Sequence, residues 1–145
     1  MHQVAASQLG EVVIACVPSA VYYFLPKVLR DYHEQYPRIR VRIIDDSANA
    51  VLESVARGEA DFGINIIGTQ DPEIEFQAIL KEPFVAACRR DHPLASKRKV
   101  TWAELVEPTV DRTVGLIRRR GRELPPAAQK LYQLIEKTWP QRLLK

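Results

Sequence analysis

Residues 11–17, EVVIACV, form a nearly unbroken apolar run rich in β-branched side chains, and it stops abruptly at Pro18-Ser19. A strand with one wet face would alternate polar and apolar positions. This one does not, so both of its faces must be covered, which places it inside a sheet packed on two sides. The next stretch supplies a covering layer. Phe24, Leu25, Val28, Leu29, Tyr32 and Tyr36 recur at helical spacing, with Lys27, Arg30, Asp31, Glu34 and Gln35 opposite them. Pro26 is tolerated only in a first turn, where its missing N–H would have had no partner. The pattern therefore predicts a helix that begins near Tyr22 or Tyr23 and closes at Pro37.

Residues 38–45, RIRVRIID, alternate charge with Ile39, Val41 and Ile43, as an edge strand with one wet face would. Ser47 or Asn49 can cap a second helix that turns Val51, Leu52, Val55 and Ala56 inward, and Gly58 supplies the left-handed residue that ends it. Residues 61–67 read as a third strand. Right-handed crossovers make these three strands parallel, in the order 2-1-3. Further on, residues 75–80 and 84–88 read as two short strands split by Lys81-Glu82-Pro83, and residues 89–98 as a loop. Thr101, with Glu104 three positions later, caps a short helix. Residues 106–111 lead into a last strand, 113–117, and Pro125-Pro126 opens a terminal helix carrying Leu131, Leu134, Ile135 and Trp139. The expected fold class is α/β: a three-layer Rossmann-like or flavodoxin-like lobe, its sheet mainly parallel, with an added closing strand and C-terminal helix.

The 145 residues, 46% hydrophobic and 27% charged, suit one soluble domain with one core. No apolar run approaches the roughly 20 residues of a membrane helix, and the first residues do not read as an export signal, so a cytoplasmic location without membrane contact is expected. Cys16 and Cys88 sit in apolar runs without C-x-x-C spacing and read as small buried thiols. No metal and no cofactor are expected, since no H-E-x-x-H, P-loop or G-x-G-x-x-G occurs. The net charge of +3 does not demand a nucleic-acid partner. The basic residues gather at 97–99 and at 118–122, RRRGR; the latter is read as a solvated strand end in preference to a phosphate-binding patch.

In open α/β sheets a ligand sits beyond the carboxyl ends of the strands, where the strand order reverses. Here that is the Pro18-Ser19-Ala20 turn, where the Ser19 hydroxyl and the N–H groups of Ala20 and Val21 are candidates to hold a carboxylate. Ser47 and Asn49 occupy the equivalent end of the second strand, with plain helix capping as their alternative role. Asn65 and Ile66 end the third strand and would line the same cleft. Catalysis is not expected. Ser19 lacks a G-x-S-x-G elbow, and His2, His33 and His92 fall in a terminus, on a polar helix face and in a loop, so none is placed as its base.

Taken in order, the pieces VVIACVPSAVYYFLPKVL, VLESVARGEADFGI, EPFVAACRRDHPLA followed by TWAEL, and RTVGLIRRRGRELPPAAQKLYQLI resemble the effector-binding, periplasmic-binding-protein-like domain of LysR-type transcriptional regulators. The resemblance covers most of the chain and implies a sensor of a small effector, normally relayed to DNA binding, with Ser19 as the family's usual effector contact. Position 48, a hydroxyl in several relatives, is Ala48.

Two departures shape the expectation. The family's winged helix-turn-helix is missing ahead of residues 1–10, which read as a linker remnant. The family's second lobe is also missing near 107–112, so residues 11–145 make a single lobe. The expected partners are a small, carboxylate-type effector bound weakly and a second copy of the chain. That copy would meet Val28, Leu29, Tyr32, Ile39, Val41 and Ile43, which in the family face a partner's second lobe. The alternative is a truncated or engineered self-associating fragment with no measurable ligand binding.

Overall fold

In the computed structural model the described residues are 10–23, 25–68, 70–83, 89–91, 93, 95 and 111–139. The apolar run becomes β1 (Gly10–Cys16), followed by α1 (Pro18–Tyr23), α2 (Leu25–Gln35), β2 (Ile39–Asp45), α3 (Ala48–Ala56), β3 (Phe62–Asn65), β4 (Ile74–Pro83), β5 (Asp111–Arg119) and α4 (Pro126–Thr138). One sheet holds five strands in the order β2-β1-β3-β5-β4. β1 pairs in parallel with both β2 and β3, so the expected 2-1-3 core is present with its central strand in the middle. β5 runs antiparallel to both β3 and β4.

The layering follows from which neighbours adjacent β3 residues meet, since successive strand residues face opposite sides. Phe62 meets the Tyr132 ring of α4 edge-on, with centroids 5.2 Å apart. Gly63, one residue on, lies against Val55 of α3; a Cβ there would sit 3.0 Å from a Val55 methyl and 2.8 Å from the Ala15 carbonyl. α3 and α4 therefore cover opposite faces, and glycine at position 63 is what lets α3 come so close. α2 shares the α4 face, where the Tyr32 hydroxyl donates to the Ala127 carbonyl at 2.8 Å. Val12, Ile14, Ala15 and Cys16 are fully buried, as a strand covered on both sides requires.

Several local expectations change. The helix expected to start near Tyr22 or Tyr23 is two helices, because the chain already turns helical at Pro18, which is free of penalty in a first turn, and α2 then opens at Leu25 with Pro26 as its second residue. Ser47 caps α3, its hydroxyl accepting from the Ala50 N–H at 3.4 Å, and Gly58 takes φ +79° just beyond the helix. Lys81-Glu82-Pro83 does not divide two strands: β4 runs through all three, with an irregularity between Ala78 and Leu80. It can do so because β4 is an edge strand, where a residue without an N–H costs no ladder bond. β5 begins at Asp111 and ends at Arg119, longer at both ends than expected. The expected strand at 84–88, the helix at 101–105, Cys88, His2, His92 and residues 97–99 lie outside the described residues.

Three of the residues expected to meet a second copy of the chain are instead interior to this one. Val28, Tyr32 and Ile39 are buried, at 0%, 1% and 4% exposure, with α4 packed against α2. Leu29, Val41 and Ile43 keep partial exposure. Among the described residues no helix is long and apolar enough to cross a membrane.

Candidate functional site

The carboxyl ends of β1, β2 and β3 meet where the chain leaves β1. The Val17 N–H donates to the Ile64 carbonyl at 3.2 Å and the Asp46 N–H to the Cys16 carbonyl at 3.1 Å, so this exit is tied to both neighbouring strands. Ser19 follows immediately, half-buried in α1. Its Oγ accepts from Nη2 of Arg112, the second residue of β5, at 3.1 Å. Because β5 is antiparallel to β3, the start of β5 lies at the carboxyl end of the parallel strands, and a residue 93 positions away in sequence reaches the Ser19 turn.

The other expected residues fall into three groups. The Ala20 N–H donates to the Val17 carbonyl at 3.0 Å, so this amide serves its own turn, while Val21 is half-buried beside it. Asn65 is fully buried on the α3 side: its Nδ2 donates to the Ala48 carbonyl at 2.9 Å and its Oδ1 accepts from the Ile66 N–H at 2.8 Å. It thereby ties the end of β3 to the first turn of α3. Ser47 is the helix cap described above, and Asn49 is exposed in that first turn. The structure thus brings Ser19 to Arg112, and turns Asn65 to the opposite face of the same sheet end.

Sequence reasoning missed Arg112. Residues 106–111 read as a connection, and nothing in the letters says that the closing strand lies beside β3 rather than at an outer edge. The basic run 118–122 was the more conspicuous signal, and it is largely absorbed by local structure. Arg118 Nε lies 2.9 Å from Glu75, with its guanidinium 5.1 Å from the centre of the Tyr132 ring. Arg120 reaches Glu75 at 4.0 Å and donates to the Pro72 and Ile74 carbonyls, and Arg119 rests against Gly58.

Ser19 accepts its bond from a guanidinium, which has no lone pair with which to take up a proton; this arrangement can bind but does not generate an alkoxide. His33, exposed near the end of α2, lies toward the other end of the sheet, since α2 runs back from the end of β1 to the start of β2. The Cys16 thiol is pushed up to about 12 by burial and then by the nearby Asp45 carboxylate, so it stays protonated at neutral pH. Among the described residues no three His, Cys, Asp or Glu side chains gather as a metal site would need.

Two surface hollows lie away from Ser19. One, of about 680 Å³, is lined by Glu75, Arg118, Arg122 and the start of α4; the other, of about 430 Å³, lies between the late turns of α2 and α4. Both are at the amino ends of the parallel strands.

The family model of the LysR substrate binding domain matches residues 5–107. The chain belongs to the LysR substrate-binding-domain family. Among its relatives, the HTH-type transcriptional regulator YbhD of Escherichia coli (strain K12) is 50% identical over 97 residues, 67% of this chain and 31% of that protein. The chain spans about a third of the length of the first curated relatives it matches. The fold is that of solved LysR-type effector domains. The effector-binding domain of QuiR in complex with shikimate superposes with a TM-score of 0.79 at 11% identity, covering 92% of this chain and 98% of that one. The BenM effector-binding domain with its effector benzoate gives 0.75 at 15% identity, covering 94% and 95%.

Proposed function

We propose that this LysR-type domain is the effector-sensing lobe of a transcription regulator, and that it binds a small anionic metabolite at the carboxyl ends of β1 and β3, around Ser19. The observation that carries this reading is the meeting of Ser19 and Arg112 at the switch point of the sheet, a hydroxyl and a cation side by side where α/β folds take ligands. The relatives support it: shikimate and benzoate, named with QuiR and BenM, are both carboxylates. On this reading the chain senses rather than catalyses and works in the cytoplasm, and its effector alters promoter binding by a longer regulator through a DNA-binding part.

The reading also holds that the chain is a single lobe, the family's second lobe having been lost near 107–112. A ligand on one wall of a cleft loses about half its burial, so effector binding by this chain is weak. Calorimetric titration of benzoate and shikimate into the wild type and Ser19→Ala tests the proposal. Weak binding in the wild type that Ser19→Ala abolishes supports it, and equal binding by both proteins contradicts it.

A second reading, a self-associating fragment, is favoured by one observation: β2 is an edge strand with Val41 and Ile43 only partly covered. Together with Leu29 they form the surface through which two copies would meet. Light scattering over a concentration series tests this, and a strict monomer at high concentration contradicts it.

A further inference from the structure

β2 forms one margin of the sheet, so one side of its backbone lies beyond the last ladder. Its charges are polarised along the strand. Arg40 and Arg42 stand in the first half and Asp45 ends it, with Asp46 next in line and its N–H still bonded to the Cys16 carbonyl. All four are exposed, while Val41, Ile43 and Ile44 between them are half-buried. Arginines on an edge strand ordinarily keep other strands away, and a parallel copy of β2 would set like charge against like. An antiparallel copy does the reverse, because it brings the basic half of each strand to the acidic end of the other.

Alternation of side chains restricts the register. Opposed residues share a face of the sheet, so in a two-fold pair of identical strands one residue lies on the axis, opposite its own mate. With Arg42 there, two guanidiniums collide. With Ile44 there, the partner's Asp46 falls opposite Arg42, which Glu11 already holds at 3.0 Å. With Ile43 there, two apolar side chains meet at the centre, Arg42 keeps Glu11, and Arg40 of each strand stands opposite Asp46 of the other.

We propose that β2 is a docking edge for a second copy of this chain, which adds its own β2 antiparallel, with Ile43 on the two-fold axis and each Arg40 opposite the partner's Asp46. The two five-stranded sheets become one. Pairing uses up the β2 edge of both copies, so the assembly closes at a dimer. The inference rests on the reading of the chain as self-associating and gives it a strand, an orientation and a register. It differs from the expectation drawn from the family, in which Val41 and Ile43 face a partner's second lobe.

The test uses the full chain, in light scattering over a concentration series and in a thermal melt that checks the fold of each variant. The wild type is expected to dimerise. Arg40→Glu and Asp46→Arg are each expected to weaken the dimer about tenfold, because both symmetric pairs become repulsive, and the double variant to recover most of that loss. Register is read by oxidising Ile43→Cys with copper phenanthroline in a Cys88→Ser background, Cys16 being buried. The axial thiols, on Cβ atoms about 5 Å apart, are expected to join; those of Val41→Cys, offset along the strands by about 13 Å, are not. A dimer that ignores the charge swaps, or that crosslinks both cysteine variants alike, overturns the pairing and leaves self-association standing. A wild type that stays monomeric at high concentration overturns both. Asp46 also accepts from the Ser47 N–H, so should Asp46→Arg not fold, Arg40→Glu and the two cysteine variants decide.

Discussion

The two ends of the sheet solve opposite problems with the same residue types. At the amino ends of the parallel strands, arginines are neutralised within the fold: Arg118 and Arg120 share Glu75, and the Arg120 guanidinium closes the turn at Pro72 and Ile74. At the carboxyl ends, Arg112 meets Ser19, and the buried amide of Asn65 fixes the position of α3. One end is finished as a surface. The other joins Ser19 and Arg112 across distant segments, with Asn65 tying down the scaffold behind them.

That contrast can be attacked through the core both ends share. Gly63→Val drives a side chain into the Ala15 carbonyl and Val55, with no flexible group to yield, and is expected to destabilise the fold by about 3 kcal/mol. A thermal or urea melt measures it, and an unchanged midpoint would mean that α3 is free to move away. Next in size is Asn65→Leu, which strips partners from the Ala48 carbonyl and the Ile66 N–H. It should cost about 2 kcal/mol, with weaker protection from hydrogen exchange in the first turn of α3. If protection changes equally throughout, Asn65 is not a local tether.

Alkaline pH probes the shared core in another way. Burial pushes Tyr32 and Tyr132 up to about 12 from about 10, and Cys16 up to about 12 from about 9. For each group the folded value lies above the unfolded one, so the stability it contributes is complete below the unfolded value and is lost as pH rises toward 12. Urea midpoints should hold to about pH 9 and then fall, less steeply in Tyr132→Phe. A midpoint flat to pH 12 would contradict this. The smallest effect is expected at the finished end. Glu75→Gln weakens a partly exposed pair and should cost no more than about 1 kcal/mol, because water and salt partly screen it. A larger loss would show that this end is built as tightly as the other.

Much of this was legible in the letters because it follows from local rules. The doubly covered β1, the alternating edge strand β2, the Ser47 cap and the Gly58 stop each depend on a few neighbouring residues. The parallel 2-1-3 core followed from the handedness of crossovers. What was not legible depends on contacts between distant segments. That Lys81-Glu82-Pro83 continues a strand depends on β4 lying at an edge, which only the sheet order reveals. That Tyr32 is interior depends on α4 folding back over α2 from the far end of the chain. Arg112 was hidden for the same reason: its place beside Ser19 comes from β5 pairing antiparallel with β3, and no spacing in the sequence encodes that.

The central claim is that the carboxyl-end wall, and not the larger hollow at the other end, receives the effector. An NMR titration with benzoate and shikimate that maps amide shifts across the whole chain tests it most directly. The account predicts shifts centred on Ser19, Ala20, Val21 and Arg112. Shifts centred instead on Arg118, Arg122 and Gln129 would contradict it.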